Sequence, residues 1–331
     1  MTKLRISVVQ YLNTAPLIRG FTRGPLRARA GERYDLSFTV PSQCAEALRT
    51  GVADVAIIPA IEYQRIVSQG IPLTILPGLA IASKERVRSL LLISKVPIRQ
   101  ARRIALDPSS RSTQALVKIL AARHWHTAPE FFEPATPTKN GNDTASLVAA
   151  MLAKADAALI IGDAALQIAI AAEAQGAKLG PDGECLTTGA AIGIPAVPQL
   201  HIYDIVTEWR HLTNLPAVLA IWAARNDSFP NNLIPAELIA DFQASRDFGL
   251  TQIPQIAAEA AQEMHLPEKE LRLYLEKNID YSLDQENLQG LQRFFQESQA
   301  LNLIGPLNAI NIAPNTIQRV SSRLPRASRG A

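Results

Sequence analysis

The sequence predicts an α/β protein of two lobes, each a mostly parallel sheet flanked by helices, with a ligand cleft between the lobes. Three observations lead there. Short apolar strand patterns alternate with helical ones from Leu4 onward. The alternation pauses at an all-apolar stretch, Ser89 to Ile93, and then restarts. Polar residues with chemistry to offer fall where the predicted strands end, the edge at which open α/β sheets bind ligands.

The elements follow in order. Leu4 to Val9 reads as a strand that runs through Gln10-Tyr11-Leu12-Asn13-Thr14-Ala15-Pro16 into a helix. Residues 22 to 33, rich in arginine and glycine, read as a surface loop. Leu36 to Val40 is a second strand. Pro41 and Ser42 open a helix that buries Cys44, Ala45, Ala47 and Leu48 and stops at Gly51. Ala53 to Ile58 is a third strand, ending at Pro59-Ala60. A helix from Ile61 to Ser68 and a strand from Leu73 to Leu76 complete a βαβαβ-like half.

After Ser89 to Ile93 come a strand at Arg103 to Leu106, a helix at Ser112 to Arg123 and a loop at 127 to 143. A helix at Thr144 to Ala153 precedes a strand at Ala157 to Ile161, which ends in Gly162-Asp163. Residues 176 to 201 are rich in Gly and Pro, Val206 to Leu212 is helical, and Pro216 to Ala224 reads as a strand. From Pro235 the chain is almost wholly helical. Two crossings, near 84 to 90 and 222 to 228, are therefore expected. They divide the chain into lobe I (1–86 plus 226–318), lobe II (87–225) and a basic tail (319–331).

Composition narrows the function. A chain of 331 residues, 47% apolar and 19% charged, suits a soluble protein with sizeable cores. It has no apolar run long enough to cross a membrane, and its N-terminus enters a strand without an apolar leader. A cytoplasmic protein without a membrane partner is expected. The formal charge of +3 arises in the tail, at Arg319, Arg323, Arg326 and Arg329, so the body is near neutral and does not read as a nucleic-acid surface. Cys44 and Cys185 are too isolated for a disulfide framework or a zinc site. His124 and His126 follow a helix end with no Cys, Asp or Glu cluster beside them, so neither a metal site nor a cofactor is expected. Nothing in the pattern specifies an oligomeric state.

The densest polar motif is Asp107-Pro108-Ser109-Ser110-Arg111-Ser112-Thr113, between a strand and a helix. A helix start offers unpaired N–H groups and the positive end of the dipole. With hydroxyls and Arg111 it suits a carboxylate or phosphate; it reads equally as a serine N-cap. Asn13 and Ser83 are polar at strand ends but are not bases at neutral pH. Glu62 and Asp163 could be, although Glu62 also reads as a first-turn acid and Asp163 as a cap.

Leu48-Arg49-Thr50-Gly51-Val52-Ala53-Asp54-Val55-Ala56 resembles an element of type II periplasmic-binding-protein folds. Further stretches narrow the resemblance. They are Tyr11-Leu12-Asn13-Thr14, Ile61-Glu62-Tyr63, Leu76-Pro77-Gly78-Leu79-Ala80-Ile81-Ala82-Ser83, Ser89 to Pro97, Ile161 to Leu166, Glu208-Trp209, Leu215-Pro216 and Asn278-Ile279-Asp280-Tyr281. Together they are similar to the chorismate dehydratases of the futalosine route to menaquinone, over nearly the whole chain. The sequence departs from that pattern at Pro59-Ala60, where the family often has serines, and at Lys84-Glu85-Arg86-Val87-Arg88, often Gly- and Pro-rich.

The resemblance implies loss of water from chorismate to give 3-[(1-carboxyvinyl)oxy]benzoate, without a cofactor. Ser109, Ser110, Arg111, Ser112 and Thr113 would then hold a substrate carboxylate, with Gly162, Asp163 and Glu62 as further substrate contacts. Asn13 and Ser83 would act by positioning while the substrate's enolpyruvyl carboxylate takes the ring proton. Two other readings share the fold: a binding or effector protein for an aromatic acid, and the dihydroxynaphthoate-forming sister enzyme. The opening Tyr11-Leu12-Asn13-Thr14 speaks against the latter, which usually opens with a Ser-Pro-Cys-Pro-Asn-Asp-like motif.

Overall fold

The computed structural model describes residues 3–134, 144–178 and 184–314. The basic tail expected at 319–331 lies outside them, as does most of the Pro- and Thr-rich part of the 127–143 loop.

β1 (Leu4–Val9) passes through a 3-10 turn at Leu12–Thr14 into α1 (Ala15–Thr22), which carries Pro16 in its first turn, where no intrahelical N–H bond is lost. The stretch expected to be a loop contains a helix, α2 (Arg27–Arg33). Its arginines pair with Glu237 and Asp241 instead of facing only water. β2 (Tyr34–Thr39) leads to α3 (Pro41–Thr50), closed by Gly51 at φ +75°, a conformation that favours glycine. β3 (Val55–Pro59) is buried along its whole length, as a central strand must be. It feeds α4 (Ala60–Val67) and then β4 (Leu73–Ser83).

β4 is longer than the sequence suggests. Pro77 and Gly78 look like a strand stop, but the chain forms an irregularity there and pairs again at Ala80. The side chains of Gln243 and Arg246 satisfy the Pro77 and Gly78 carbonyls, at 3.0 and 2.6 Å. The strand therefore continues to Ser83.

The chain then enters a second sheet at β5 (Leu90–Ser94), followed by β6 (Arg103–Ala105) and α5 (Arg111–Leu120). A π-turn at Ala121–Trp125 leads to β7 (Glu130–Phe132). α6 (Thr144–Leu152), β8 (Ala157–Ile161) and α7 (Gly162–Ala174) come next. The Gly- and Pro-rich stretch holds two strands not expected from sequence, β9 (Glu184–Thr187) and β10 (Leu200–Asp204). α8 (Ile205–Thr213) precedes β11 (Ala217–Arg225). The helical end comprises α9 (Ala236–Thr251), α10 (Ile253–Met264), α11 (Glu268–Leu273), a π-turn at Tyr274–Asn278 and α12 (Gln285–Ala300).

The first sheet runs β2-β1-β3-β11-β4 and the second β7-β6-β8-β5-β10-β9. Each holds a parallel trio, β2-β1-β3 or β7-β6-β8. The remaining pairings are antiparallel, more than the alternation pattern suggests. The sequence placed residues 217–225 in lobe II with a return crossing near 222–228. Instead β11 lies between β3 and β4, so the return falls at Asn214–Pro216. An all-apolar strand announces that it is buried, not which sheet buries it. α9 then packs on α1 so closely that a Cβ at Gly249 would lie 1.8 Å from the Pro16 carbonyl oxygen.

Candidate functional site

The ends of both sheets meet in a polar seam. On the second-sheet side, α5 begins at the Ser109–Thr113 run. Ser110 occupies the N-cap but makes no capping bond; its Oγ pairs with Thr113 Oγ1 at 2.8 Å. Ser109 turns back to Asp107, donating its N–H to Oδ1 at 2.8 Å. Burial raises the Asp107 carboxyl above its ordinary value.

The rest of the run is engaged across the seam. Ser112 Oγ accepts the Ile61 N–H at 3.1 Å, and the Ser109 carbonyl accepts the Ser42 N–H at 3.1 Å. The starts of α3, α4 and α5 thus converge. Arg111 donates to Glu62 at 3.2 Å, and Arg65 donates to the other carboxylate oxygen of Glu62 at 2.8 Å. Glu62 is 3% exposed and its carboxylate is shared between Arg111 and Arg65, while the Arg111 side chain stays partly open to solvent at 43%.

A second cluster lies at the end of β1. Asn13, in the 3-10 turn, is buried and lies within hydrogen-bonding reach of the Tyr274 hydroxyl. Tyr274 also donates to Ser89 Oγ at 3.0 Å, and Asp163 and Arg88 lie near enough to influence its ionisation. Asp163, in the first turn of α7, accepts the Leu12 N–H at 3.2 Å from the other side of the seam. Its carboxyl is pushed up to about 6, first by burial and further by Glu263, against the opposing Leu12 bond. Gly162 stands at φ +66°, where a side chain is strained, and a Cβ would press on the Tyr11 ring at 3.1 Å. The Tyr11 hydroxyl lies within hydrogen-bonding reach of Ser109, so this ring stands between the two clusters, and burial pushes it up to about 12.

Ser83 ends β4 beside the Asn278–Tyr281 segment, which bonds to Ala82 through Asp280. Its hydroxyl is buried without a hydrogen-bond partner, and so is that of Tyr281. No hydrogen bond among the described residues links Ser83 to Asn13. The structure thus brings Asn13, Gly162 and Asp163 together and sets Tyr11 between them and the Ser109 run. It leaves Ser83 on the strand that the Asn278–Tyr281 segment bridges at Ala82–Asp280, and the Tyr281 hydroxyl is close to Tyr274.

Sequence reasoning missed Tyr11, Ser89, Tyr274 and Tyr281 as site residues. Tyr11, Ser89 and Tyr281 stood within the quoted motifs. Tyr274 had no motif, and its only local signal is conformational, a π-turn of the kind that clusters at functional sites.

Two mixed sheets with facing strand ends define the class: a two-lobed protein of the periplasmic-binding-protein type. The Escherichia coli periplasmic aliphatic sulphonate binding protein superposes with a TM-score of 0.57 at 16% identity, covering 96% of this chain and 97% of that one. A protein from Archaeoglobus fulgidus gives 0.61 at 15% identity, covering 91% and 98%. A Candida albicans gene product described as having the generic periplasmic binding protein fold gives 0.59 at 10%, covering 98% and 97%. The profile of the menaquinone biosynthesis family matches residues 4–300, and the chain belongs to that family. It is 25% identical over 306 residues to the chorismate dehydratase of Thermus thermophilus, covering 90% of this chain and 95% of that protein. No described helix is long and apolar enough to cross a membrane.

Proposed function

We propose that this protein is a carbon–oxygen lyase that removes water from chorismate and releases 3-[(1-carboxyvinyl)oxy]benzoate. The observation that carries the reading is the similarity to a chorismate dehydratase along nearly the full length of both chains. The chemistry of the seam supports it. One ring proton and one hydroxyl leave, and the ring becomes aromatic, which supplies the driving force. What remains for the protein is to hold the diene and align the departing groups.

The substrate's enolpyruvyl carboxylate takes the ring proton in this proposal. Asn13 and Ser83 hold that carboxylate and the departing hydroxyl, and the unpartnered Ser83 hydroxyl is available for such a contact. Ser109, Ser110, Ser112 and Thr113 offer hydroxyls and N–H groups to the second carboxylate once the seam opens. Asp163 and Gly162 frame the Tyr11 ring against the substrate. Asp163 is the rival base, because a carboxyl near 6 is matched to proton transfer at neutral pH.

Entry requires the seam to part. The two lobes are proposed to rock about the crossings at 84–89 and 214–216. Arg88 takes left-handed backbone there, at φ +63°, and Asn214, at φ +56°, ends α8 in the same region; such element-terminal positions can absorb the backbone change of a hinge. Incubation of purified protein with chorismate tests the proposal. The expected result is catalytic formation of the aromatic enol ether, seen as loss of one water by mass spectrometry. Binding without turnover would make it an aromatic-acid binding protein instead.

A further inference from the structure

We propose that His124, Glu208 and His211 form a binding site for one divalent transition-metal ion of the zinc type, built by α8 and the π-turn after α5. Glu208 and His211 stand three residues apart on α8 and so share a face of the helix. His124 comes from the π-turn, whose widened geometry brings both His124 and Trp125 to the same carboxylate. The three side chains each offer a ligand atom within 4.8 Å of the others.

The Glu208 carboxylate is the reason to read this as a site and not as a surface cluster. The residue is 1% exposed. Its Oε2 accepts the Trp125 Nε1–H at 2.7 Å and lies 3.2 Å from His124 Nε2, while its Oε1 is buried with no hydrogen-bond partner. A buried carboxylate oxygen left bare is costly, and a cation ligated there removes that cost. Ligand atoms on a tetrahedral zinc stand about 3.3 Å apart, given bonds of about 2.0–2.1 Å. The 3.2 Å between His124 Nε2 and Glu208 Oε2 is close to this, and the ion can take that oxygen or the bare Oε1 beside it. His211 is exposed and free to swing in, and a water completes the fourth position on that open side.

The donor set fixes the chemical class. Two imidazoles and one carboxylate suit zinc, cobalt, nickel or copper, whereas magnesium and calcium need more oxygen ligands. The Trp125 N–H on Oε2 orients the carboxylate, as outer-shell donors do in metal sites. The ion would clip α8 to the end of α5, within the second-sheet half and apart from the seam.

The test uses full-length protein without a histidine tag, stripped with chelator and titrated calorimetrically with zinc chloride and, separately, cobalt chloride. One ion per chain is expected, and cobalt should give the visible absorption of a nitrogen- and oxygen-ligated centre. His124→Gln and His211→Gln should each weaken binding by about 10-fold or more, while His126→Gln should leave it unchanged. Thermal melts of each variant show that it is folded. Absence of saturable binding, or stoichiometric binding that both His124→Gln and His211→Gln leave intact, would overturn the site.

Discussion

Ser83 carries a hydroxyl that the folded chain does not use. It is buried and unpartnered at the end of β4, a state that costs stability. Ser83→Ala should therefore leave the protein equally stable or more stable by about 1 kcal/mol, while cutting turnover of chorismate by about 100-fold through lost positioning. Chemical denaturation and steady-state kinetics on one preparation check both halves.

Asp163 gives a second expectation, with a definite sign. Its folded carboxyl is raised from 3.8 to about 6 by burial. The folded state thus holds the proton more tightly than the unfolded one. That contribution is fully present below about pH 4 and is lost as pH rises through about 6. Asp163→Asn keeps an acceptor for the Leu12 N–H and removes the buried charge. It should be more stable than the parent at pH 8 by roughly 1–3 kcal/mol, with the difference gone at pH 4, as melts at the two pH values would show.

Single residues were legible where a motif marked them. Asn13 and Asp163 stood out by type and by place at a strand end. Arg111 and Glu62 were legible as charges, but not as each other's partner, because they lie 49 residues apart and on facing helix starts. Tyr274 was invisible, since its role depends on what α11 meets after folding.

Among the elements, α1 and α9 decide where Asn13 sits, because α1 follows directly from its 3-10 turn. Their contact depends on small residues. A Cβ on Gly249 would overlap the Pro16 carbonyl, and Ser245 Oγ donates to the Leu17 carbonyl at 2.8 Å. Gly249→Ala must push the helices apart and should cost about 1–3 kcal/mol or more by overpacking. It should also lower turnover, since the displacement reaches Asn13. A loss of stability with full activity would mean that the α1 position does not set the site.

Periodic elements were readable for a physical reason. α3, α5 and β3 have strong patterns, with Pro41 or Gly51 as punctuation. β4 was cut short because Pro77 and Gly78 are local stop signals, overridden by long-range bonds from Gln243 and Arg246. β9 and β10 hide in a Gly- and Pro-rich stretch because partner strands fix them, not their own composition.

At the scale of the whole molecule, hydrogen bonds and an ion pair tie the two sheet halves together. Leu12–Asp163, Ile61–Ser112, Ser42–Ser109 and Glu62–Arg111 all cross the seam. Asp204 anchors the first crossing by accepting the Val87 and Arg88 N–H groups, at 3.1 and 2.6 Å on Oδ2, while it caps α8. Arg88 spans outward from that crossing to Glu173 on α7 and Glu270 on α11. Gly162→Ala, strained at φ +66° and pressed on Tyr11, should shift the population toward an open form. Small-angle scattering would record a larger radius of gyration than the parent's, and an unchanged radius would contradict that role for the seam. The two-lobed plan was legible from the restarted alternation. The second crossing was not, because the strand order of a sheet is a property of the folded chain.

In the proposed mechanism, alignment by Asn13, and not a side-chain base, drives the dehydration. Steady-state turnover of chorismate by the parent, Asn13→Ala and Asp163→Asn tests it most directly. The expected result is product from the parent, a drop of about 100-fold or more for Asn13→Ala, and a rate for Asp163→Asn within a few-fold of the parent's. Full activity in Asn13→Ala together with a dead Asp163→Asn would contradict it.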